Sequence, residues 1–110
     1  MSQQVPTVTP AEVVAAQAAK GPVTLLDVRE ADEYVQVRAP FGAHHALSAL
    51  QRGTLPSTPK DQRIYVVCKM GGRGEAAARI LLGAGFLDVL NVAGGMTAWE
   101  KSGLPVSRGP

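Results

Sequence analysis

The chain has 110 residues, an apolar fraction of 45% and a charged fraction of 18%, which excludes a disordered polypeptide and suits one domain over residues 1–110. Its net charge is only +2, and Lys and Arg are spread from Lys20 to Arg108, which argues against a nucleic-acid or anionic-membrane face. The lone cysteine excludes an internal disulfide, and no apolar stretch approaches the length of a membrane span.

Met1-Ser2-Gln3-Gln4-Val5-Pro6 lacks the basic-then-apolar pattern of a secretory leader, so the expected compartment is the cytoplasm. Thr9-Pro10-Ala11-Glu12 predicts a helix start. Thr9 caps, Pro10 fits the first helical position and Glu12 supplies the capping-box carboxylate. The helix runs through an Ala-rich segment to about Lys20, where Gly21-Pro22 stops it. Val23 to Val28 is a nearly continuous apolar run, as in a strand covered on both faces, with Asp27 near its C-terminal end.

Glu30 to Val37 reads as a short helix with Tyr34 and Val37 inward. Residues 38–46 read as a loop or short strand around the breakers Pro40 and Gly42, and Leu47 to Arg52 as one or two helical turns. Residues 54–62 carry Pro56 and Pro59 and form a surface connection. Ile64-Tyr65-Val66-Val67 is the second buried strand, and it ends directly on Cys68. After Lys69-Met70-Gly71-Gly72-Arg73, a helix is expected from about Gly74 to Leu82, with Ala77, Ile80, Leu81 and Ala84 at helical spacing. Asp88 to Val92 is a third short strand, and Gly94-Gly95 turns the chain into a last helix from about Met96 to Lys101. This alternation predicts an α/β fold with a mostly parallel sheet, whose ligand sites lie at the C-terminal strand ends. Asp27 and Cys68 both lie near such ends.

A lone cysteine most often packs as a small hydrophobe. Cys68 instead occupies the step from a buried strand into a helix, followed by a Gly-rich basic loop. Successive N–H groups in such a loop make an anion nest, and the next helix adds the positive end of its dipole. Lys69 and Arg73 add formal charge, so thiolate is favoured over thiol and Cys68 reads as a nucleophile. Gly71 and Gly72 let the backbone approach the sulfur without an intervening Cβ. The expected cradle is Lys69, Met70, Gly71, Gly72, Arg73 and Gly74. Arg73 is the fifth residue after Cys68, one short of the spacing in phosphatase-type cysteine loops. A tighter loop fits one extra atom on sulfur, a persulfide, better than a tetrahedral oxyanion.

Three segments together resemble the rhodanese family: Cys68-Lys69-Met70-Gly71-Gly72-Arg73 against Cys-Arg-x-Gly-x-Arg, Leu26-Asp27-Val28-Arg29 against Leu-Asp-Val-Arg, and Gly94-Gly95-Met96-Thr97-Ala98-Trp99 against Gly-Gly-x-x-x-Trp. They stand in the family's order and span most of the chain. The resemblance implies a rhodanese-like, five-stranded parallel sheet flanked by helices on both faces. It also implies a thiosulfate sulfurtransferase-type transferase, moving sulfane sulfur through a Cys68 persulfide from a thiosulfate-like donor to cyanide, a thiol or a protein acceptor. It implies no cofactor and no metal.

The chain departs from the family where Lys69 replaces an Arg, where Gly74 stands in place of a frequent Ser, Thr or Ala, and at 37–46. There the usual Gly-His-Ile-Pro-Gly-Ala reads Val37-Arg38-Ala39-Pro40-Phe41-Gly42-Ala43. The alternative readings are a non-catalytic binding or sulfur-carrier module and, with the spacing against it, a Cys-dependent phosphatase or arsenate reductase.

Asp27, Arg29 and Glu33 are supporting candidates. Asp27 is expected to order backbone or pair with an Arg rather than act as a base, and Arg29 and Glu33 to form supporting salt bridges. Arg73 is expected to brace the loop through a carboxylate. The His44-His45 pair is no metal site, since neighbours on a strand face opposite ways and no third ligand lies near. Trp99 is expected in the core, and Met70 at an adaptable apolar rim or simply exposed.

Overall fold

The computed structural model describes residues 4–110. Its strands are β1 (Thr7–Val8), β2 (Thr24–Asp27), β3 (Ala43–His44), β4 (Ile64–Val67) and β5 (Val89–Val92). They alternate with helices α1 (Pro10–Lys20), α2 (Ala31–Gln36), α3 (Leu47–Gln51), α4 (Gly72–Gly83) and α5 (Gly95–Lys101). The sheet is parallel throughout, in the order β1-β5-β4-β2-β3. This is the expected five-stranded parallel α/β fold.

The centre of the sheet is β4, every residue of which is buried. Its side chains alternate between two cores, as strand geometry requires. Ile64, Val66 and Cys68 enter one core with Leu26, Leu50, Ala77 and Leu81, beneath α3 and α4. Tyr65 and Val67 enter the other with Val13, Met96 and Trp99, beneath α1 and α5. Trp99 is a core residue, as expected, and its indole N–H reaches the Pro105 carbonyl at 2.9 Å.

The adjacent strands β2 and β4 send their chains to opposite sides. The connection after β2 leads through α2 to β3, and that after β4 leads through α4 to β5. Such a reversal opens a crevice at the C-terminal strand ends, where open α/β sheets place ligands. Asp27 and Cys68 flank it.

Some local expectations need correction. β1 had no signal of its own: two residues paired only to β5, through bonds such as Ala93 N–H to Val8 O at 2.8 Å, form too short a pattern to read. The helix α4 starts at Gly72, not near Gly74, because Gly71 at φ 115° turns the chain in one residue. Tyr34 and Val37 are half-buried rather than fully inward, and α2 has no buried residue. The unusual 37–46 segment is tied to the C-terminal tail: Arg38 and Ser107 exchange backbone hydrogen bonds of 2.9 and 2.8 Å. Among the described residues, no helix is long and apolar enough to cross a membrane.

Candidate active site

Cys68 is 1% exposed, at the floor of the loop that links β4 to α4. Its backbone is gripped from two sides. Val28 N–H donates to Val67 O at 2.9 Å on the β2 side. From α5, Met96 N–H donates to Cys68 O at 2.7 Å and Thr97 N–H to Lys69 O at 2.9 Å. The first-turn amides of α5, which have no partner inside their own helix, are therefore satisfied by the cysteine loop. That packing is why Gly95 is glycine: a Cβ there would lie 2.3 Å from the Cys68 carbonyl oxygen, closer than any side chain is tolerated.

The sulfur meets the loop at Gly71, whose N–H donates to Cys68 Sγ at 2.9 Å. The positive φ of Gly71, 115°, lies where only glycine is unstrained. Its carbonyl accepts from Glu75 N–H at 3.0 Å and from Asn91 Nδ2 at 2.9 Å. Gly72, Arg73 and Gly74 follow as the first turn of α4, so their amides have no carbonyl partner within the helix and form the positive end of its dipole. The expected cradle thus divides into two parts, a hinge at Gly71 and a helix terminus at Gly72 to Gly74.

Lys69 and Met70 are exposed on the outer side of the loop, Met70 at 70%. Lys69 lines a cavity of about 210 Å³ with Arg29, Glu33, Thr97 and Glu100. A larger cavity of about 590 Å³, lined by Thr24, Gln62, Arg63 and Tyr65, lies at the N-terminal ends of β2 and β4. It holds more volume but lies at the opposite end of the sheet from the thiol.

The charged residues form two braces. Arg73 binds Glu33 through both guanidinium amines, at 2.7 and 2.9 Å. This clamp holds the Glu33 carboxyl down at about 2, mainly through the Arg73 hydrogen bonds and against partial burial. Reciprocally, Glu33 holds the Arg73 guanidinium more firmly protonated, with a smaller contribution from Cys68. The second brace is buried. Arg29 bonds Asp27 through Nε and Nη2, the latter at 2.7 Å, and reaches Val37 O at 2.5 Å. Asp27 Oδ1 also accepts the Arg29 backbone N–H at 3.1 Å. Asp27 is thus paired with Arg29, and Glu33 with Arg73.

His44 and His45 engage different carbonyls, Arg29 O at 2.6 Å and Thr54 O at 2.8 Å. No group of His, Cys, Asp and Glu suited to a metal occurs among the described residues. Two residues at the site escaped sequence reasoning. Asn91 carries no more than a strand signal by pattern alone, although a polar residue among the apolar neighbours of β5 is a usable mark. Gly95 stands in the sequence as a turn residue within the Gly-Gly-x-x-x-Trp segment, and its backbone contact across the fold has no local signal.

Residues 9–102 match the family model described as a rhodanese-like domain. The chain is 31% identical over 84 residues to a protein named sulfurtransferase from Allochromatium vinosum, covering 76% of this chain and 78% of that one. It is 36% identical over 77 residues to the putative sulfur carrier protein YrkF of Bacillus subtilis, covering 70% of this chain and 41% of that one. Among solved structures, thiosulfate sulfurtransferase from Pseudomonas aeruginosa superposes with a TM-score of 0.84 at 31% identity, over 96% of this chain and 20% of that one. The chain therefore spans less than half the length of the Bacillus and Pseudomonas proteins.

Proposed function

The chain belongs to the rhodanese-like domain family, and from that premise we propose that it transfers sulfane sulfur through a persulfide on Cys68. The observation that carries this reading is the Gly71 N–H on Sγ at 2.9 Å, immediately before the first turn of α4. A backbone donor and a helix terminus converge on one sulfur, an arrangement that favours an anion there.

In the first half-reaction the Cys68 thiolate attacks the outer sulfur of a donor such as thiosulfate. The new Cys–S bond forms as the donor S–S bond breaks, and sulfite leaves with the electron pair. The added sulfur extends the side chain by about 2 Å, which brings the cargo outward from a nearly buried cysteine. The amides at the start of α4 supply hydrogen bonds to its negative charge. In the second half-reaction a thiol, cyanide or protein nucleophile attacks the terminal sulfur, and Cys68 leaves as thiolate. The exposed ammonium of Lys69, next to Cys68 in the chain, suits attraction of an anionic donor without the two-pronged grip of an arginine. A reactive lone thiol suits a reducing compartment such as the cytoplasm.

Against an oxyanion-binding phosphatase reading stands the Arg73–Glu33 clamp, which occupies the guanidinium that such a loop needs. The resemblance to a putative sulfur carrier supports a second reading, in which the persulfide is delivered only to a protein acceptor.

The test is an intact mass of the reduced protein after incubation with thiosulfate, or with glutathione persulfide as a second donor. A gain of one sulfur atom, absent in Cys68→Ser, is the expected result. No gain with either donor would sink the proposal. A persulfide that survives excess cyanide and small thiols but is discharged by a protein acceptor would select the carrier reading.

A further inference from the structure

Asn91 is 6% exposed and stands on β5 with its side chain toward the cysteine loop. Its Nδ2 donates to Gly71 O at 2.9 Å. That contact assigns the orientation of the amide, because the reverse would set two carbonyl oxygens against each other. Oδ1 is then directed to the first turn of α4. It is the only buried side-chain polar atom without a hydrogen-bond partner among the described residues. A Cβ on Gly74 would lie 2.2 Å from this oxygen and 3.5 Å from Cys68 Sγ. The amide oxygen and the sulfur therefore border one small space, which residue 74 must leave empty.

We propose that Asn91 is a positioning residue for Cys68, anchoring the Gly71 carbonyl so that the Gly71 N–H stays aimed at Sγ, with Gly74 as its obligate partner. Gly71 joins two peptide planes: one points its N–H at the sulfur, the other its carbonyl at Asn91. Without Asn91 that carbonyl keeps only the bond from Glu75 N–H, and glycine has the freedom to rotate away. A buried acceptor left unsatisfied is a costly arrangement, and it is the consequence of spending Nδ2 on the loop. The same geometry accounts for Gly74 where Ser, Thr or Ala is frequent in the family pattern: any Cβ would displace the anchor.

The inference rests on Cys68 being the nucleophile, but its test does not need sulfur transfer. The rate of Cys68 alkylation by iodoacetamide is measured across pH for the wild type, Asn91→Ala, Asn91→Leu, Gly74→Ala and the Asn91→Ala/Gly74→Ala double variant, with thermal unfolding in parallel. Asn91→Leu keeps the branched shape at Cγ and removes the donor. Both Asn91 variants and Gly74→Ala should move the alkylation midpoint to higher pH and slow the reaction about three- to tenfold near neutrality, the scale of one net hydrogen bond. In the double variant the space left by Asn91 takes the new Cβ. Its Tm should rise above that of Gly74→Ala alone while its alkylation profile stays displaced. Asn91 variants that lower Tm but leave the profile in place overturn the positioning role, and additive losses in the double variant overturn the pairing. A displaced profile in a protein that accepts no sulfur refutes the proposed function alone; an unmoved profile in a protein that forms the persulfide refutes this inference alone.

Discussion

Glu33 Oε1 accepts two hydrogen bonds, from the backbone N–H of Glu30 at 3.2 Å and from Arg73 at 2.7 Å. One carboxylate thus supports the start of α2 and ties it to the first turn of α4. The carboxyl is lowered from 4.5 to about 2, which fixes the sign of its pH dependence. Its contribution is full above about pH 4.5 and disappears as pH falls through about 2. Glu33→Gln should lower stability by about 1 kcal/mol at neutral pH, since the pair is partly solvated. The variant should also lose part of the wild-type slope of stability between pH 4.5 and pH 2, as urea unfolding at stepped pH would measure. Arg73 was legible as a brace because a guanidinium in a tight loop needs a fixed counter-charge. That this charge is Glu33, 40 residues away in the chain, rests on how α2 packs.

The elements were legible in proportion to how local their causes are. For α1, Thr9 accepts from Glu12 N–H at 3.1 Å and Glu12 accepts from Thr9 N–H at 2.9 Å, the reciprocal capping box expected from four residues. The cause of the α5 start is distant: Gly94-Gly95 lets its first turn lie on the Cys68–Lys69 backbone. Gly95→Ala should therefore cost about 2–4 kcal/mol, combining overpacking with a positive φ, and should disturb Cys68 itself. Thermal unfolding and thiol alkylation would both register it. An ordinary solvent-facing turn glycine would register only in the former.

At the scale of the molecule, the order β1-β5-β4-β2-β3 decides where chemistry is possible. The reversal between β2 and β4 places the thiol, both charged braces and the Lys69 cavity at one end of the sheet, while the cavity of about 590 Å³ lies at the other. Gln62→Ala at that far cavity should leave the rate of persulfide formation within about twofold of wild type and change stability by about 0.5 kcal/mol at most. Stopped-flow loading with thiosulfate would detect a larger effect, which would require a role for that end. Alternating apolar runs, Pro and Gly breakers and the Cys68 loop sufficed by themselves to indicate a parallel α/β sheet with the cysteine at a strand end, because periodicity and turn chemistry act over a few residues. Only the tertiary structure decided that α4 starts at Gly72, that Glu33 clamps Arg73, that Asn91 holds Gly71 and that Gly95 backs the cysteine. Each of these depends on groups far apart in sequence meeting within hydrogen-bond distance, and such meetings are set by packing rather than by local pattern.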